Sequence, residues 1–256
     1  MFCEDAALRR VTDGVKNPAR VSVMADVGRV DPDTVGPASD TPVDVVRTAT
    51  YVADVAEAIE LSDGFLEKGY ETTINIMAIS RDRGPELVEA LRRLEAECRT
   101  PVAYVVDSFG ALHPPEVTEL VELFRRECPS KAIGFHGHNH QQLAFANSLS
   151  AVAAGATYID GTLYGIGRAA GNCPLELLVG SRREPEYDLR PLLEVIAKEI
   201  VPLRESVEWG YTIPYAITGL LNQHPRAAMA LLGTAEEREY EAFFESVLRT
   251  VAEEKD

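Results

Sequence analysis

Apolar residues along this 256-residue chain recur in two alternating patterns. Short runs rich in valine, isoleucine and threonine end in glycine or polar residues, which is typical of β-strands in a buried sheet. Each run is followed by a longer segment in which apolar residues recur every three or four positions, as on one face of an α-helix. The pattern predicts six strands, at residues 20–28, 43–52, 71–80, 102–110, 131–139 and 157–165.

The segments between these strands carry signals of helix ends. Asp54 is a candidate N-cap for a helix that ends at Gly69, and Gly155 closes the helix after the fifth strand. The pattern predicts helices at residues 54–69, 85–98, 114–128 and 142–154, with a further helix that begins at Leu175. Strands that alternate with helices predict a parallel sheet with right-handed crossovers, so we expect an α/β fold of the TIM (β/α)8 type. A closed barrel of this type has eight strands, and six are recognisable, so we expect an incomplete barrel.

The carboxy-terminal part of the chain has a different pattern. From residue 187 onward no strand is predicted, and helices are expected at residues 189–207, 214–222 and 235–254. The sequence therefore predicts a barrel domain over residues 1–186 and a helical region over residues 187–256.

Two histidines end the fifth predicted strand. His136 and His138 are separated by Gly137, and residues two apart on a strand point to the same face. Both imidazoles would then lie side by side, close enough to hold one divalent cation. The alternative is a polar lip that is hydrogen-bonded to loops, since this spacing alone specifies little.

Polar residues also interrupt the other strands near their carboxyl ends, where parallel β/α barrels carry their functional residues. They are Asp26, Arg47, Asn75, Asp107, Ser108, Asp160 and Thr162. This distribution favours a functional site at one end of the predicted barrel.

Composition excludes several classes of partner. The net charge of −16 argues against nucleic acid and anionic membranes, because phosphate binding requires clustered Lys and Arg. No apolar run approaches the roughly 20 residues that cross a bilayer, and no secretory signal precedes the first strand. The four cysteines are widely spaced and form no Cys-x-x-Cys pair, which indicates reduced thiols and a cytoplasmic location.

Several segments together resemble a known family. They are residues 106–110 (VDSFG), 134–139 (GFHGHN), 146–149 (ANSL), 159–162 (IDGT) and 165–176 (GIGRAAGNCPLE). In this order, from about residue 21 to 179, they resemble the metal-dependent pyruvate aldolases related to 4-hydroxy-2-oxovalerate aldolase. This group lies in the superfamily of hydroxymethylglutaryl-CoA lyase and isopropylmalate synthase. Residues 211–215 and 220–225 resemble the helical carboxy-terminal part of such aldolases.

The resemblance implies a TIM barrel that binds Mn²⁺ or Mg²⁺ and acts on a small 2-oxo acid. By position, His136 and His138 match its two histidine ligands, and Asn172 matches an asparagine that ligates or adjoins the metal. Such an ion would chelate the carboxylate and ketone of the substrate and stabilise an enolate. Ser108 matches a position that contacts the pyruvyl group.

The remaining candidate residues have less specific expected roles. Asp107 is expected to orient a ligand or loop, or else to be a solvated carboxylate, and Arg168 is expected to supply charge from the glycine-rich loop. We also place Asn75, Thr162 and His140 among the residues that contact substrate, and His224 at a helix terminus.

One part of the family pattern is missing. The family begins with a strand that carries a Thr-Leu-Arg-Asp-Gly type motif, whose aspartate binds the metal and whose arginine stabilises the enolate. This sequence contains no such motif, and the simplest alignment lacks the first two β/α units. The chain is then truncated, completed by a partner chain, or degenerate. Because one lost electrostatic group typically costs about 10²–10³ in rate, we expect the chain alone to be weak or inactive. Asp26 and Asp107 are the candidate substitutes for the missing carboxylate.

Three functions fit these observations. The first is a carbon–carbon lyase that cleaves a 4-hydroxy-2-oxo acid to pyruvate and an aldehyde, or the reverse reaction. The second is a Claisen-type condensation of an acyl-CoA with a 2-oxo acid. The third is a non-catalytic or half-site subunit that a partner chain completes.

A homo-oligomer, or a partner resembling an aldehyde dehydrogenase and docked on the carboxy-terminal helices, would also match the family. Trp209, Tyr211 and Tyr215 are candidates for such a contact, although aromatic residues near helix starts more often belong to the core.

Overall fold

The computed structural model describes residues 4–15, 19–182 and 187–254. Its sheet has six strands in the order in which they occur along the chain. They are β1 (Ser22–Asp26), β2 (Val45–Thr50), β3 (Glu71–Ile76), β4 (Val102–Asp107), β5 (Ala132–Gly137) and β6 (Tyr158–Ile159).

The pairings recorded for β1 to β4 are parallel, with Ser22 opposite Val45 and Ile74 opposite Ala103. Every residue of β4 is buried, as expected for a parallel strand that is covered on both faces. The predicted α/β fold with six parallel strands is thus confirmed.

Helices follow the strands and then make up the carboxy-terminal region, as predicted. They are α1 (Asp5–Thr12), α2 (Val55–Glu67), α3 (Pro85–Glu97), α4 (Pro114–Glu127), α5 (Ala144–Ala153), α6 (Leu175–Ser181), α7 (Leu189–Val195), α8 (Val201–Leu203), α9 (Ile213–Leu220), α10 (Arg226–Leu231) and α11 (Tyr240–Glu253). A π-helical turn, Ile196–Ile200, joins α7 to α8. The sequence pattern does not predict α1 or α10, because both helices are short.

The predicted helix ends are only partly correct. Gly69 and Gly155 follow α2 and α5 with φ values of 88° and 103°, the left-handed conformation that glycine adopts without steric cost. Asp54 immediately precedes α2, but its side chain makes no capping hydrogen bond, so its predicted role as a cap is wrong. Its φ of −103° and ψ of 16° differ from the extended conformation typical of an N-cap residue.

The sixth predicted strand is much shorter than expected. Only Tyr158 and Ile159 are in strand conformation, and Leu163–Gly165 form a 3₁₀ turn instead. A side chain at Gly161 would contact Leu178 at 2.9 Å and the backbone of Leu175 at 3.2 Å. The close approach of α6 therefore takes the place of further strand pairing.

The chain divides into two compact units. Unit 1 comprises Met1–Val105 and Leu123–Gly134, and unit 2 comprises Val106–Glu122 and Phe135–Asp256. The chain passes from unit 1 to unit 2 within β4, returns within α4 and passes to unit 2 again within β5. This division differs from the domain boundary predicted at residue 186, which stays a prediction.

Each unit has its own apolar core. In unit 1, Val46, Phe65 and Tyr70 are buried between β2 and α2. In unit 2, Tyr215, Phe243 and Val247 of the carboxy-terminal helices pack against Ala169 and Ala170 of the glycine-rich loop. The helical region therefore shares a core with the loop that precedes α6.

The three aromatic residues near the start of α9 have different environments. Trp209 and Tyr215 are 4% and 7% exposed, so both belong to the core, whereas Tyr211 is 50% exposed. The Trp209 indole N–H donates to the carbonyl oxygen of Tyr164. The guanidinium of Arg204 lies over the rings of both Trp209 and Tyr164. This contact ties the chain before α9 to the glycine-rich loop.

Among the described residues, no helix is both long enough and apolar enough to cross a membrane.

Candidate active site

The paired histidines at the end of β5 lie side by side. The ring centroids of His136 and His138 are 5.1 Å apart, at an interplanar angle of 71°. The next alternate residue, His140, continues the row, with its ring 5.9 Å from that of His138. The end of β5 and the turn that follows it thus bring three imidazoles together in unit 2.

Asp160, directly after β6, contacts the first of these rings. The Nδ1 atom of His136 lies 2.8 Å from Oδ2 of Asp160, and both side chains are partly buried. A carboxylate is an acceptor, so this contact favours the imidazole tautomer with its proton on Nδ1. The sequence identified Asp160 as a polar strand end but did not indicate this partner.

His138 is held as a neutral imidazole. Burial lowers its pKa well below the usual value, and neighbouring His136 and His140 lower the pKa further, followed by Arg168 and His224. Its Nδ1 atom is buried and has no hydrogen-bond partner among the described residues. A neutral ring with an available lone pair is the form in which histidine binds metals.

Asn172 lies beside His138, because the two residues form an isolated antiparallel β-bridge. The side-chain N–H of Asn172 donates to the carbonyl oxygen of Ile166 at 3.0 Å. This hydrogen bond orients the side-chain oxygen of Asn172 away from Ile166. The backbone of Asn139 donates to the carbonyl oxygen of Gly171 at 2.9 Å. The glycine-rich loop is therefore held against the end of β5.

His140 is completely buried rather than at the surface of the site. Both of its ring nitrogens are buried and have no hydrogen-bond partner among the described residues. Burial, with smaller contributions from Arg168 and His224, lowers its pKa to about 4. Its ring lies 6.0 Å from that of Tyr215 in α9, so the helical region covers it.

Asp107 organises the turn after β4. Its carboxylate accepts hydrogen bonds from the backbone N–H groups of Ala111 and Leu112 at 3.0 and 3.1 Å. The side chain is fully buried, so the alternative of a solvated carboxylate is wrong and the geometry supports the role of orienting a loop. Ser108, the next residue, is partly exposed at the start of this turn.

The other predicted site residues are distributed between the two units. Arg168 is exposed on the glycine-rich loop, close enough for its charge to lower the pKa values of His138 and His140. The Thr162 hydroxyl is buried with no hydrogen-bond partner among the described residues. Asn75 lies in unit 1, where its amide oxygen accepts a hydrogen bond from the Thr73 hydroxyl at 2.7 Å. Asp26, also in unit 1, forms an ion pair with Arg29.

The helical region contributes two residues that the sequence did not place in the site. They are Tyr215, against His140, and His224, whose ring lies 5.8 Å from that of Phe109. His224 does precede a helix, as expected, and its Nδ1 accepts a hydrogen bond from the backbone of Arg226. No local pattern could have identified these contacts, because they connect segments that are far apart in the sequence.

The donor set has the chemistry of a partial metal site. His136, His138 and Asn172 offer two imidazole nitrogens and an amide oxygen, which suit a divalent transition metal. In the described ranges, no three His, Cys, Asp or Glu side chains are grouped closely enough to hold a metal ion. His136, His138 and Asn172 could therefore serve as neutral ligands of a cation. The aspartate ligand that the family resemblance implies is not among them.

Parallel β/α architecture with polar residues at the strand ends defines an α/β domain of the barrel type. The HMGL-like family model matches residues 6–195, and the chain belongs to this family.

Two relatives illustrate the similarity. The chain is 32% identical over 226 residues to 4-hydroxy-2-oxovalerate aldolase from Stutzerimonas stutzeri, covering 83% of this chain and 65% of the relative. It is 38% identical over 147 residues to the protein of that name from Pelotomaculum thermopropionicum, covering 57% and 43%. The chain thus spans less than two thirds of the length of either relative.

Solved structures agree with the fold. The N-terminal domain of a Bacteroides vulgatus protein proposed to be an aldolase superposes with a TM-score of 0.74 at 26% identity, covering 90% of this chain and 76% of that one. The carboxyl transferase domain of Rhizobium etli pyruvate carboxylase superposes with a TM-score of 0.70 at 18% identity, covering 92% and 44%. The second likeness concerns the fold alone.

Proposed function

We infer that this chain is a divalent-metal-dependent carbon–carbon lyase that cleaves a 4-hydroxy-2-oxo acid to pyruvate and an aldehyde, or catalyses the reverse reaction. The observation that carries this inference is the histidine pair at the end of β5, with Asn172 beside it. Membership of the HMGL-like family and the relatives named 4-hydroxy-2-oxovalerate aldolase support it.

In the cleavage, the bond between C3 and C4 breaks, the 4-hydroxyl proton leaves, and C3 takes up a proton. His136, His138 and Asn172 would hold the cation. When bound, the cation would supply Lewis-acid polarisation of the 2-oxo acid. The hydroxyl of Ser108, a partly exposed residue, would bind the pyruvyl group, and Arg168 would contribute positive charge for the substrate carboxylate.

Each remaining residue would orient or enclose the site. Asp107 would hold the turn that carries Ser108, through its two backbone hydrogen bonds. Buried His140 and the helix α9 above it would exclude water from the inner side of the imidazole row. Thr162 and Asn75 stay predicted contacts to substrate.

The activity of this chain is proposed to be low. Neutral ligands hold a divalent cation less tightly than a set with a carboxylate, and one lost electrostatic group typically lowers a rate by about 10²–10³. Both oxygens of Asp107 already accept backbone hydrogen bonds, which disfavours it as the substitute ligand. Asp26 stays the other candidate.

The test is release of pyruvate from 4-hydroxy-2-oxovalerate, followed with lactate dehydrogenase and NADH, in the presence of Mn²⁺. We expect a slow release that a chelator abolishes and that His138→Ala eliminates. His113→Ala, a change at an exposed histidine, is the control and should leave the rate unchanged.

Release that survives both the chelator and His138→Ala would contradict metal-dependent cleavage at this site. A requirement for coenzyme A would favour the condensing reaction instead.

A further inference from the structure

We propose that Asp160 is a positioning residue that holds His136 in the Nδ1–H tautomer and turns the Nε2 lone pair toward the site. The tautomer follows from the geometry of unit 2 alone. The use of Nε2 as a metal donor rests on the function proposed above.

The contact between the two side chains is short and only partly solvated. Nδ1 of His136 and Oδ2 of Asp160 are 2.8 Å apart, and the side chains are 24% and 17% exposed. A hydrogen bond to a carboxylate is about twice as strong as one between neutral groups, and reduced contact with water increases this advantage. Because a carboxylate only accepts, the proton resides on Nδ1 and the lone pair on Nε2.

The backbone around Asp160 is held from several directions, so the carboxylate is placed before any ligand arrives. The Asp160 N–H donates to the carbonyl oxygen of Phe135 at 3.1 Å, the residue just before His136. Two residues later, the Thr162 N–H donates to Cys173, and the Thr162 carbonyl accepts from Leu175. The two-residue strand β6 and the start of α6 thus hold Asp160 between them.

Close packing explains why the segment cannot shift along β5. A Cβ atom at Gly161 would lie 2.9 Å from Leu178 and 3.2 Å from the backbone of Leu175. The residue after Asp160 therefore lies directly against α6. A carboxylate on so constrained a segment loses little conformational freedom when it orients a partner, which is the requirement for preorganisation.

The neighbouring imidazole lacks this support. The Nδ1 atom of His138 is buried with no hydrogen-bond partner among the described residues. The two histidines of the pair are therefore inequivalent, since one has a carboxylate that selects its tautomer and the other has none in the described part of the chain. Carboxylate partners of metal-binding histidines typically contribute about 10–100-fold in metal affinity, which is the magnitude expected here.

The test is the ¹⁵N NMR spectrum of the imidazoles in the metal-free protein, at a pH where both rings are neutral. The wild-type His136 should show a protonated Nδ1 and an unprotonated Nε2. Asp160→Ala should shift its population toward the Nε2–H form, while the His138 signals keep their shifts. Asp188→Ala, which removes a carboxylate bonded to Arg190 in the same unit, is the control and should leave both rings unchanged.

Titration with Mn²⁺ gives the second readout. Asp160→Ala should weaken binding by about 10–100-fold, and Asp188→Ala should not alter it. If Asp160→Ala does not fold, Asp160→Leu keeps a similar branched shape but cannot accept a hydrogen bond, and it should reduce the Nδ1–H population of His136.

The outcomes separate the two proposals. A wild-type His136 in the Nε2–H form, or a variant at position 160 that keeps the wild-type shifts, would overturn the role of Asp160 whether or not metal binds. The expected tautomer in a protein that binds no Mn²⁺ would instead refute the metal-dependent function and leave the positioning intact.

Discussion

At the scale of single residues, the site depends on a glycine that the sequence did not single out. Gly110 lies in the turn after β4 with φ of 56°, in the left-handed region. A Cβ atom there would lie 2.7 Å from Nδ1 of His140, 2.8 Å from its backbone nitrogen and 2.9 Å from the carbonyl oxygen of His138. The turn can approach the row of imidazoles only because position 110 has no side chain.

Gly110→Ala should therefore destabilise unit 2 more than an ordinary left-handed glycine would. Backbone strain costs about 1–2 kcal/mol and a steric overlap in a packed region about 1–3 kcal/mol, so we expect a loss of about 3 kcal/mol. Urea unfolding followed by the fluorescence of Trp209, the single tryptophan, measures it.

Gly233→Ala is the matched control, because Gly233 has φ of 78° in the same unit but a Cβ atom there would have no neighbour within 4 Å among the described residues. It should cost about 1 kcal/mol, the backbone strain alone. Equal losses of unfolding free energy for the two variants would show that a side chain at position 110 does not overlap with His138 and His140.

Buried His140 should make stability fall as the solution becomes acidic. Its pKa is about 4 in the folded protein, below the usual 6.5, because burial and the positive charge of Arg168 and His224 oppose protonation. Below about pH 6.5 the unfolded chain takes up a proton that the folded chain does not, so the free energy of unfolding falls until about pH 4.

The loss through this one group should approach about 3 kcal/mol, at about 1.36 kcal/mol for each pKa unit. We expect His140→Gln to reduce the slope of unfolding free energy against pH over this range, while buried His138 keeps its own contribution. His113→Gln, at an exposed position, should keep the wild-type slope. A His140→Gln profile parallel to that of the wild type would contradict the buried neutral imidazole.

At the scale of elements, the spacing of apolar residues predicted the type of element reliably where that element is long and its environment uniform. The runs that became β2 to β5 and the spacings that became α2 to α5 all predict the correct type of element. The predicted ends were less reliable, because caps depend on backbone angles that residue type does not determine. Asp54 is the example, since its side chain does not cap α2.

The sixth strand shows what a local pattern cannot contain. Residues 157–165 have the composition of a strand, yet the strand ends at Ile159 and the chain enters a 3₁₀ turn at Leu163. The cause lies in α6, which approaches Gly161 too closely for further pairing. Asp160 itself is held beside His136 by the hydrogen bond from its N–H to the carbonyl oxygen of Phe135 at 3.1 Å.

At the scale of the whole molecule, β1 and β6 stand at the two ends of the strand order, whereas a closed barrel has eight strands. Met24 on β1 is 53% exposed. Unit 1 also contains a cavity of about 1110 Å³ whose lining includes Val23, Val43 and Phe65. A strand at the end of a sheet, beside apolar surface, favours association, which supports the hypothesis of a subunit that a partner chain completes.

This hypothesis predicts that the isolated chain elutes from a size-exclusion column above its monomer mass, increasingly so at higher concentration. Met24→Lys should shift elution toward the monomer, because a lysine on an edge strand opposes pairing. Leu220→Lys, at an exposed position of α9, is the control for added charge. A wild-type monomer with a cooperative thermal transition would count against a partner-completed barrel.

The sequence by itself determined the class of fold and the location of the histidine pair. Strand and helix periodicities are local properties, and residues two apart on a strand share a face whatever surrounds them. Only the tertiary structure decided which side chains complete the site. Contacts between distant segments bring four residues to the histidines or to the turn after β4: Asp160, Gly110, Tyr215 and His224. Such contacts depend on how strands and helices pack rather than on any neighbouring residue.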